Sequence, residues 1–380
     1  MKKLLAVLLF LFVLFHLAGG WYFSEELKKD ALVADHTPAT QDVVIAAISG
    51  SELTLQEVAD TEPELDAPGV VGLDWRTGYG QLQPGITTAD DGSVVRQMQR
   101  LSGEAPSAGM LATIDGYAFP SDPAAAFGID FTEIEYQSPL GPIKAWQVLA
   151  SGNTWVLHVH GLGASRTEAL RLLRPLAAEG YPQLVIDYRN DEGAPADPTG
   201  YYRFGETEWE DVTAAVDLLV AEGAQQVVLV GYSTGASHIF SYLYREPDPV
   251  VKAVIVDSPN IDFEQTVDLG ASQRSLPFIG LPIPGTLVWT AKQIATLRFG
   301  VDWESVDYLP EAEQLEVPVL VIHGTEDETV PLQSSQDLAA ARPDLVRISI
   351  VPGAGHVRSW NVGSASYEAA VTGFLAEVSQ

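Results

Sequence analysis

The stretch Gln225-Gln-Val-Val-Leu-Val-Gly-Tyr-Ser-Thr-Gly-Ala-Ser237 decides how the chain reads. Its apolar run, Val227 to Val230, breaks at Gly231. Ser233 comes two residues later, and a helix-compatible segment, Ala236 to Tyr244, follows at once. Such a Gly-x-Ser-x-Gly turn forces its serine into a strained backbone conformation and lifts the hydroxyl above the sheet edge. Gly231 and Gly235 flank it because a Cβ at either place would crowd the neighbouring strand or helix. The pattern alone is weak, since a loop serine is commonly only a turn former. Its placement and its partners carry the weight.

Around this turn, strands and helices alternate from about Ile129. Ile134 to Tyr136, Ala145 to Leu149 and Thr154 to His160 read as strands joined by tight turns. A helix over Arg166 to Ala178, a strand over Gln183 to Asp187 and a helix over Glu208 to Ala221 lead to the strand before Ser233. Beyond it the pattern predicts strands at Val251 to Asp257, Val317 to His323 and Val346 to Val351, with helices at Leu332 to Ala341 and Ala365 to Val378. Buried apolar strands alternating with helices imply a mostly parallel sheet covered on both faces. One interruption, residues 260–315, is too long for a simple connection. Its Pro- and Gly-rich centre, Pro277 to Gly285, lies between amphipathic stretches such as Thr286 to Phe299, and a lid over the site is the expected role.

In an open parallel sheet, ligands bind beyond the carboxyl ends of the strands, so the partners of Ser233 belong in the loops after each strand. His323-Gly-Thr-Glu-Asp-Glu-Thr-Val-Pro331 offers Glu326, Asp327 and Glu328. Val351-Pro-Gly-Ala-Gly-His-Val357 presents His356 in a Gly-rich turn, and His160-Gly-Leu-Gly-Ala-Ser-Arg166 opens a helix. A serine hydroxyl needs a base, which His356 supplies; the base needs a carboxylate to fix its tautomer, the task of Asp327. The oxyanion needs backbone N–H groups, expected from Thr234 and from Leu162 and Gly163.

These motifs, in the chain order Ser, Asp, His, resemble the α/β-hydrolase superfamily over about Ile129 to Gln380; the superfamily spacing selects Asp327 over the adjacent acids. More narrowly, an apolar N-terminus followed by Trp21-Tyr-Phe-Ser24, then Tyr188-Arg-Asn-Asp191, Glu206-Thr-Glu-Trp209 and His356-Val-Arg-Ser-Trp-Asn361 is similar to membrane-anchored bacterial α/β-hydrolases of unassigned substrate. The resemblance implies an α/β-hydrolase fold with a lid insertion, and a serine hydrolase needing no cofactor and no metal.

Other polar residues have blander readings. His160 and His323 each precede a glycine at a strand end and are expected to be hydrogen-bonding scaffold, since one base suffices. His158, inside a strand, and His16, in the apolar N-terminus, default to core or interface roles. Arg189 could receive a substrate carboxylate, but an ion-pair network with Asp191, Glu206 or Glu208 is the favoured reading. Metal ligation is not expected, because neither a His-x-x-x-His motif nor a Glu-rich helical pair is present.

The chain has 380 residues, 46% of them hydrophobic, enough for a large core and about two or three domains. Its formal charge of −30 argues against nucleic acid or anionic headgroups as partners. With no cysteine, disulfides, zinc-thiolate sites and thiol nucleophiles are all excluded. Residues 1–23 begin with Lys2 and Lys3 and continue as an apolar run, an export signal. Left uncleaved, Leu4 to Phe23 is about 20 residues, enough to span a bilayer, with Trp21, Tyr22 and Phe23 as an interface belt. The favoured expectation is a single-pass membrane anchor with the catalytic part extracytoplasmic; the alternative is secretion after cleavage near Gly20. Residues 24–42 read as a linker or first helix, 43–125 as a small β-rich module without a chemical motif, and 126–380 as the hydrolase domain.

The expected activity is cleavage of a small-molecule ester or thioester through an acyl-enzyme. A serine peptidase, with Glu206 or Glu208 holding a substrate amine, is the alternative within the same chemistry. A catalytically silent surface binding protein is the alternative outside it.

Overall fold

The computed structural model describes residues 2–378 apart from 39 and 246; positions 1 and 380, which bound the expected segments, lie outside the described residues. Helix α1 (Lys2–Leu27) runs past Phe23 and continues as a π-helical turn over Lys28–Leu32. The first part of the expected linker is therefore helical. Leu32 is buried in the main core, and its carbonyl accepts from the Tyr202 N–H at 2.8 Å, which ties this segment to the hydrolase domain.

The β-rich module is a closed antiparallel barrel of β1 (Val43–Ser49), β2 (Glu52–Glu57), β3 (Val71–Trp75), β4 (Gly78–Thr88), β5 (Val94–Gly103) and β6 (Leu111–Asp115). The strand order is β1-β2-β5-β4-β3-β6, and β1 pairs with β6 to close it. Closure leaves no free sheet edge, and alternate residues point inward: Val43 and Ile45, Leu53 and Leu55, Leu73 and Trp75 are buried. Arg96 is buried with them, because its guanidinium donates to the carbonyls of Gln83 and Ala67.

After α2 (Pro123–Phe127) come β7 (Thr132–Ser138), β8 (Gly141–Val148), β9 (Thr154–Val159), α3 (Leu170–Ala178), β10 (Gln183–Ile186), α4 (Trp209–Ala221), β11 (Gln226–Tyr232), α5 (Thr234–Leu243) and β12 (Val251–Asp257). The insertion contributes α6 (Phe263–Ser272) and α7 (Gly285–Phe299). Then follow β13 (Val319–Gly324), α8 (Leu332–Ala341), β14 (Val346–Val351) and α9 (Ser359–Val378). The eight strands β7 to β14 form one sheet in the order β14-β13-β12-β11-β9-β10-β8-β7, parallel from β14 to β10 and antiparallel over β8 and β7. Separate apolar cores on its two faces, one centred on Leu229 and Val256 and the other on Val230 and Ile255, account for the continuous apolar strands. β11 is central, so its carboxyl end projects Ser233 into the crevice.

α9 starts at Ser359 rather than at Ala365, with a break at Gly363, whose φ and ψ of −146° and 60° are not helical. The extra turn docks the barrel. Asn361 Nδ2 donates to the carbonyls of Val70 at 2.6 Å and Gly116 at 2.8 Å, and its own carbonyl accepts from the Val70 N–H. Gly69 makes this approach possible: its φ is +81°, and a Cβ there would lie 2.1 Å from the Asn361 carbonyl oxygen.

Candidate active site

Ser233 has φ 49° and ψ −117°, outside every region comfortable for a residue with a Cβ. Packing enforces this turn. A Cβ on Gly235 would lie 2.2 Å from the Val159 carbonyl oxygen, and one on Gly231 would lie 2.9 Å from the Ala236 nitrogen. The two glycines thus let α5 press onto β9 and β11 while the serine side chain faces outward.

His356 Nε2 lies 2.8 Å from Ser233 Oγ, and its Nδ1 lies 2.8 Å from Asp327 Oδ2. The carboxylate fixes the proton on Nδ1, so Nε2 is left to accept from the hydroxyl. The Asp327 side chain is fully buried; its Oδ1 accepts from the N–H groups of Thr329 at 2.9 Å and Val330 at 2.8 Å. Burial works to raise its pKa, but hydrogen bonds from His323 and His356 outweigh burial and hold the carboxyl well below the usual range. The three expected residues are therefore brought together. Thr234 and Leu162 line an apolar cavity with Ser233 and His356. The Thr234 N–H, at the first position of α5, has no partner within its own helix. Gly163, at φ +66°, lines neither that cavity nor its neighbour.

Positioning residues surround this set, His323 as expected and the others not disclosed by the motifs. His323 Nε2 lies 3.2 Å from Asp327 Oδ2 while its Nδ1 meets Ser335 Oγ at 2.7 Å, a scaffold role directed at the acid itself. Glu168 Oε2 accepts from the Gly161 N–H at 2.8 Å and so holds the loop of Leu162; Arg171 pairs with Glu168 Oε1 at 3.3 Å. Ser258 Oγ accepts from the Val357 N–H at 3.0 Å, which fixes the loop of His356. His323 was signalled by the glycine that follows it at a strand end; for Glu168 and Arg171 the only local signal was an acid seven residues beyond Gly161 with an arginine three further on.

His160 is buried, with Nδ1 2.9 Å from the Gly161 carbonyl and Nε2 2.9 Å from Asp191 Oδ2. Two acceptors on one imidazole require both nitrogens to carry protons. Burial opposes the charge, yet the Asp191 carboxylate outweighs it and pushes the pKa up to about 9. His160, Asp187 and Asp191 are spaced so that they could surround a cation. However, both His160 nitrogens are engaged and Arg166 Nε sits 3.0 Å from Asp187 Oδ1, so the acids already have counter-charges and the imidazole has no free lone pair. His158, in the core between Tyr232 and Gln183, is pushed down to about 4 by burial and stays neutral.

Arg189 does form an ion-pair network, but with different acids. It meets Asp211 at 2.8 Å, Glu210 at 2.8 Å and Asp197 at 3.6 Å, not Asp191, Glu206 or Glu208. Asp191 is taken by His160, Glu206 pairs with Arg203, and Glu208 is buried, accepting from the N–H groups of Arg203 and Gly205. Neither Glu206 nor Glu208 lines a cavity with Ser233, so the acids nominated to hold a peptide amine are committed to the scaffold.

The apolar cavity, about 400 Å³, is walled by the insertion and by α1: Phe263 and Val267 from α6, Val288 and Ala291 from α7, and Phe23 and Leu27 from α1. Lys292 ties α7 to α6 through Glu264 and Asp268, each at 2.7 Å. α1 in turn packs on α7. Gly19 meets Leu287, Gly20 meets Thr290 and Ile294, and Arg298 reaches Ser24 Oγ at 2.9 Å and Glu25 Oε2 at 2.6 Å. The small residues at 19 and 20 thus have a packing reason, since helices approach closely only where side chains are short.

Residues 156–369 match the alpha/beta hydrolase family, more than half of the chain, and the chain belongs to that family. Among curated relatives, a bifunctional esterase/perhydrolase of Acinetobacter calcoaceticus is 27% identical over 183 residues, covering 39% of this chain and 65% of its own length. A non-heme haloperoxidase of Rhodococcus erythropolis is 26% identical over 263 residues, 60% of this chain and 90% of the relative. Among solved structures, an esterase of Pyrococcus furiosus superposes with a TM-score of 0.54 at 20% identity, covering 68% of this chain and 97% of that one. The family match and the curated relatives support hydrolase activity in general, and the solved structure shows the shared fold. The barrel lies outside the family match.

Proposed function

We propose that this protein is a serine hydrolase that cleaves a carboxylic ester or thioester through an acyl-enzyme. The observation that carries the reading is the unbroken line from Asp327 through His356 to Ser233, with both hydrogen bonds at 2.8 Å. Ser233 Oγ attacks the acyl carbon as its proton passes to His356 Nε2; the C–O or C–S bond then breaks and His356 protonates the departing oxygen or sulfur. Water, deprotonated by His356, attacks the acyl carbon, and Ser233 leaves with the proton restored. N–H groups of Thr234 and Leu162 face the oxyanion. Asp327, held ionised by its partners, stabilises the imidazolium in both steps.

The apolar cavity is suited to the acyl chain, with the insertion acting as its lid. α1 is long and apolar enough to cross a membrane. We read it as an uncleaved anchor with Lys2 and Lys3 inside and the catalytic domain outside the cytoplasm. Because Phe23 and Leu27 wall the acyl cavity, the anchor is part of the site rather than a tether. Comparing p-nitrophenyl esters of increasing acyl length with aminoacyl p-nitroanilides tests the reading. Ester turnover that depends on Ser233 is expected, and preferential anilide cleavage would replace the esterase assignment with a peptidase.

A further inference from the structure

A second cavity, about 660 Å³, meets the first at Ser233 and His356. It lies between the sheet and the barrel, and its walls are polar: Asp74 and Asp115 from the barrel, Glu168 and Arg358 from the hydrolase domain. Its shape follows from the docking of Asn361 onto Val70 and Gly116, which brings the barrel to the mouth of the site.

Arg358 stands two residues after His356 and is pressed against Gly116 of the barrel, where a Cβ would fall 1.6 Å from Nη1. Nη1 is buried and has no hydrogen-bond partner among the described residues. The nearest acid to Nη2 is Glu64 at 3.8 Å, beyond hydrogen-bond reach. The carboxylates around it are mostly occupied. Asp115 accepts from the Tyr79 hydroxyl and from the Tyr117 N–H, and Glu168 accepts from Gly161 and Arg171. Burial pushes the carboxyls of Asp74 and Asp115 up, toward their neutral forms. The Arg358 side chain is 29% exposed as a whole, but a buried N–H without an acceptor is costly, and such a donor in the wall of the cavity that Ser233 also lines is poised for a ligand oxygen.

We propose that this cavity is the leaving-group site, and that Arg358 selects esters whose alcohol half carries an anionic oxygen group, a phosphate or a carboxylate. The inference rests on Ser233 as nucleophile. As the acyl carbon bonds to Ser233 Oγ, the C–O bond to the alcohol breaks and His356 protonates that alcohol. The alcohol departs through the polar cavity while the acyl chain stays in the apolar one. The barrel then has a function: it supplies the outer wall of the leaving-group site and holds Arg358 in place through Gly116.

The test uses full-length protein in detergent micelles and three esters of one fatty acid: with glycerol 3-phosphate, with 3-hydroxypropanoate and with glycerol. The wild type should prefer an anionic ester over the glycerol ester, and the first two arms separate phosphate from carboxylate. Arg358→Gln should lower kcat/KM for the preferred anionic ester by about tenfold or more, chiefly through KM, and change the glycerol ester by less than about twofold. Gly116→Ala, which displaces the guanidinium without removing its charge, should lower the same preference. Equal loss on all three esters in Arg358→Gln would make Arg358 only a support for the His356 loop, and a wild-type preference for the neutral ester would equally overturn the proposal. Residual ester cleavage in Ser233→Ala would instead fault the nucleophile reading, so the two failures are distinguishable.

Discussion

His323 Nε2 lies 3.2 Å from Asp327 Oδ2, the same oxygen that faces His356 Nδ1 at 2.8 Å. The acid is thus held from two sides, and its depressed pKa keeps it ionised well below neutrality. Asp327→Asn should lower kcat roughly 10⁴-fold, because an amide allows the wrong histidine tautomer. His323→Leu leaves the His356 contact intact and should cost about 10- to 100-fold, the scale of one charge-assisted hydrogen bond. Steady-state kinetics on one ester checks both, and equal losses would refute this ranking.

Packing at the elbow makes a stability prediction. Gly235→Ala would place a Cβ 2.2 Å from the Val159 carbonyl oxygen, a backbone atom that cannot swing aside. The substitution should destabilise by about 3 kcal/mol, visible as a lowered midpoint in urea unfolding. An unchanged midpoint would mean that α5 is not pressed against β9 as described.

How much of this was legible follows from where each partner lies. Ser233, Asp327 and His356 each sit in a short loop directly after a strand, so alternation of strand and helix was enough to place them on one side of the sheet. The partners of Arg189 were not legible, because Asp211 and Glu210 come from α4, beyond a long irregular loop, and nearer acids offered equally good pairs. Within the β-rich module the barrel was not legible, because Gly78, Gly80, Pro84 and Gly85 break the alternation of β4 and closure depends on pairing β1 with β6, far apart in the chain. The polar cavity exists only once Asn361 docks the barrel, which no local pattern announces.

His160 makes stability depend on pH. Its folded pKa, about 9, lies above the usual value of 6.5, so the stabilisation is fully present below about 6.5 and is lost as pH rises through about 9. Thermal unfolding between pH 6 and 10 should show a falling midpoint over that window, and His160→Gln should flatten the fall. A midpoint that rises across the window would contradict the buried cation.

The anchor reading predicts that the full chain remains in the membrane fraction after alkaline carbonate washing and keeps residues 2–20 by mass spectrometry of the intact protein. Release of a protein beginning near Trp21 would show cleavage and remove the packing of Gly20 on Thr290 and Ile294.

The most direct test of the central claim is mass spectrometry of the protein after reaction with a fluorophosphonate, paired with ester turnover in Ser233→Ala. The expected result is a single adduct on the peptide carrying Ser233, no adduct in the variant, and loss of turnover with the unfolding midpoint little changed. An adduct elsewhere, or ester hydrolysis that survives in the folded variant, would contradict the account.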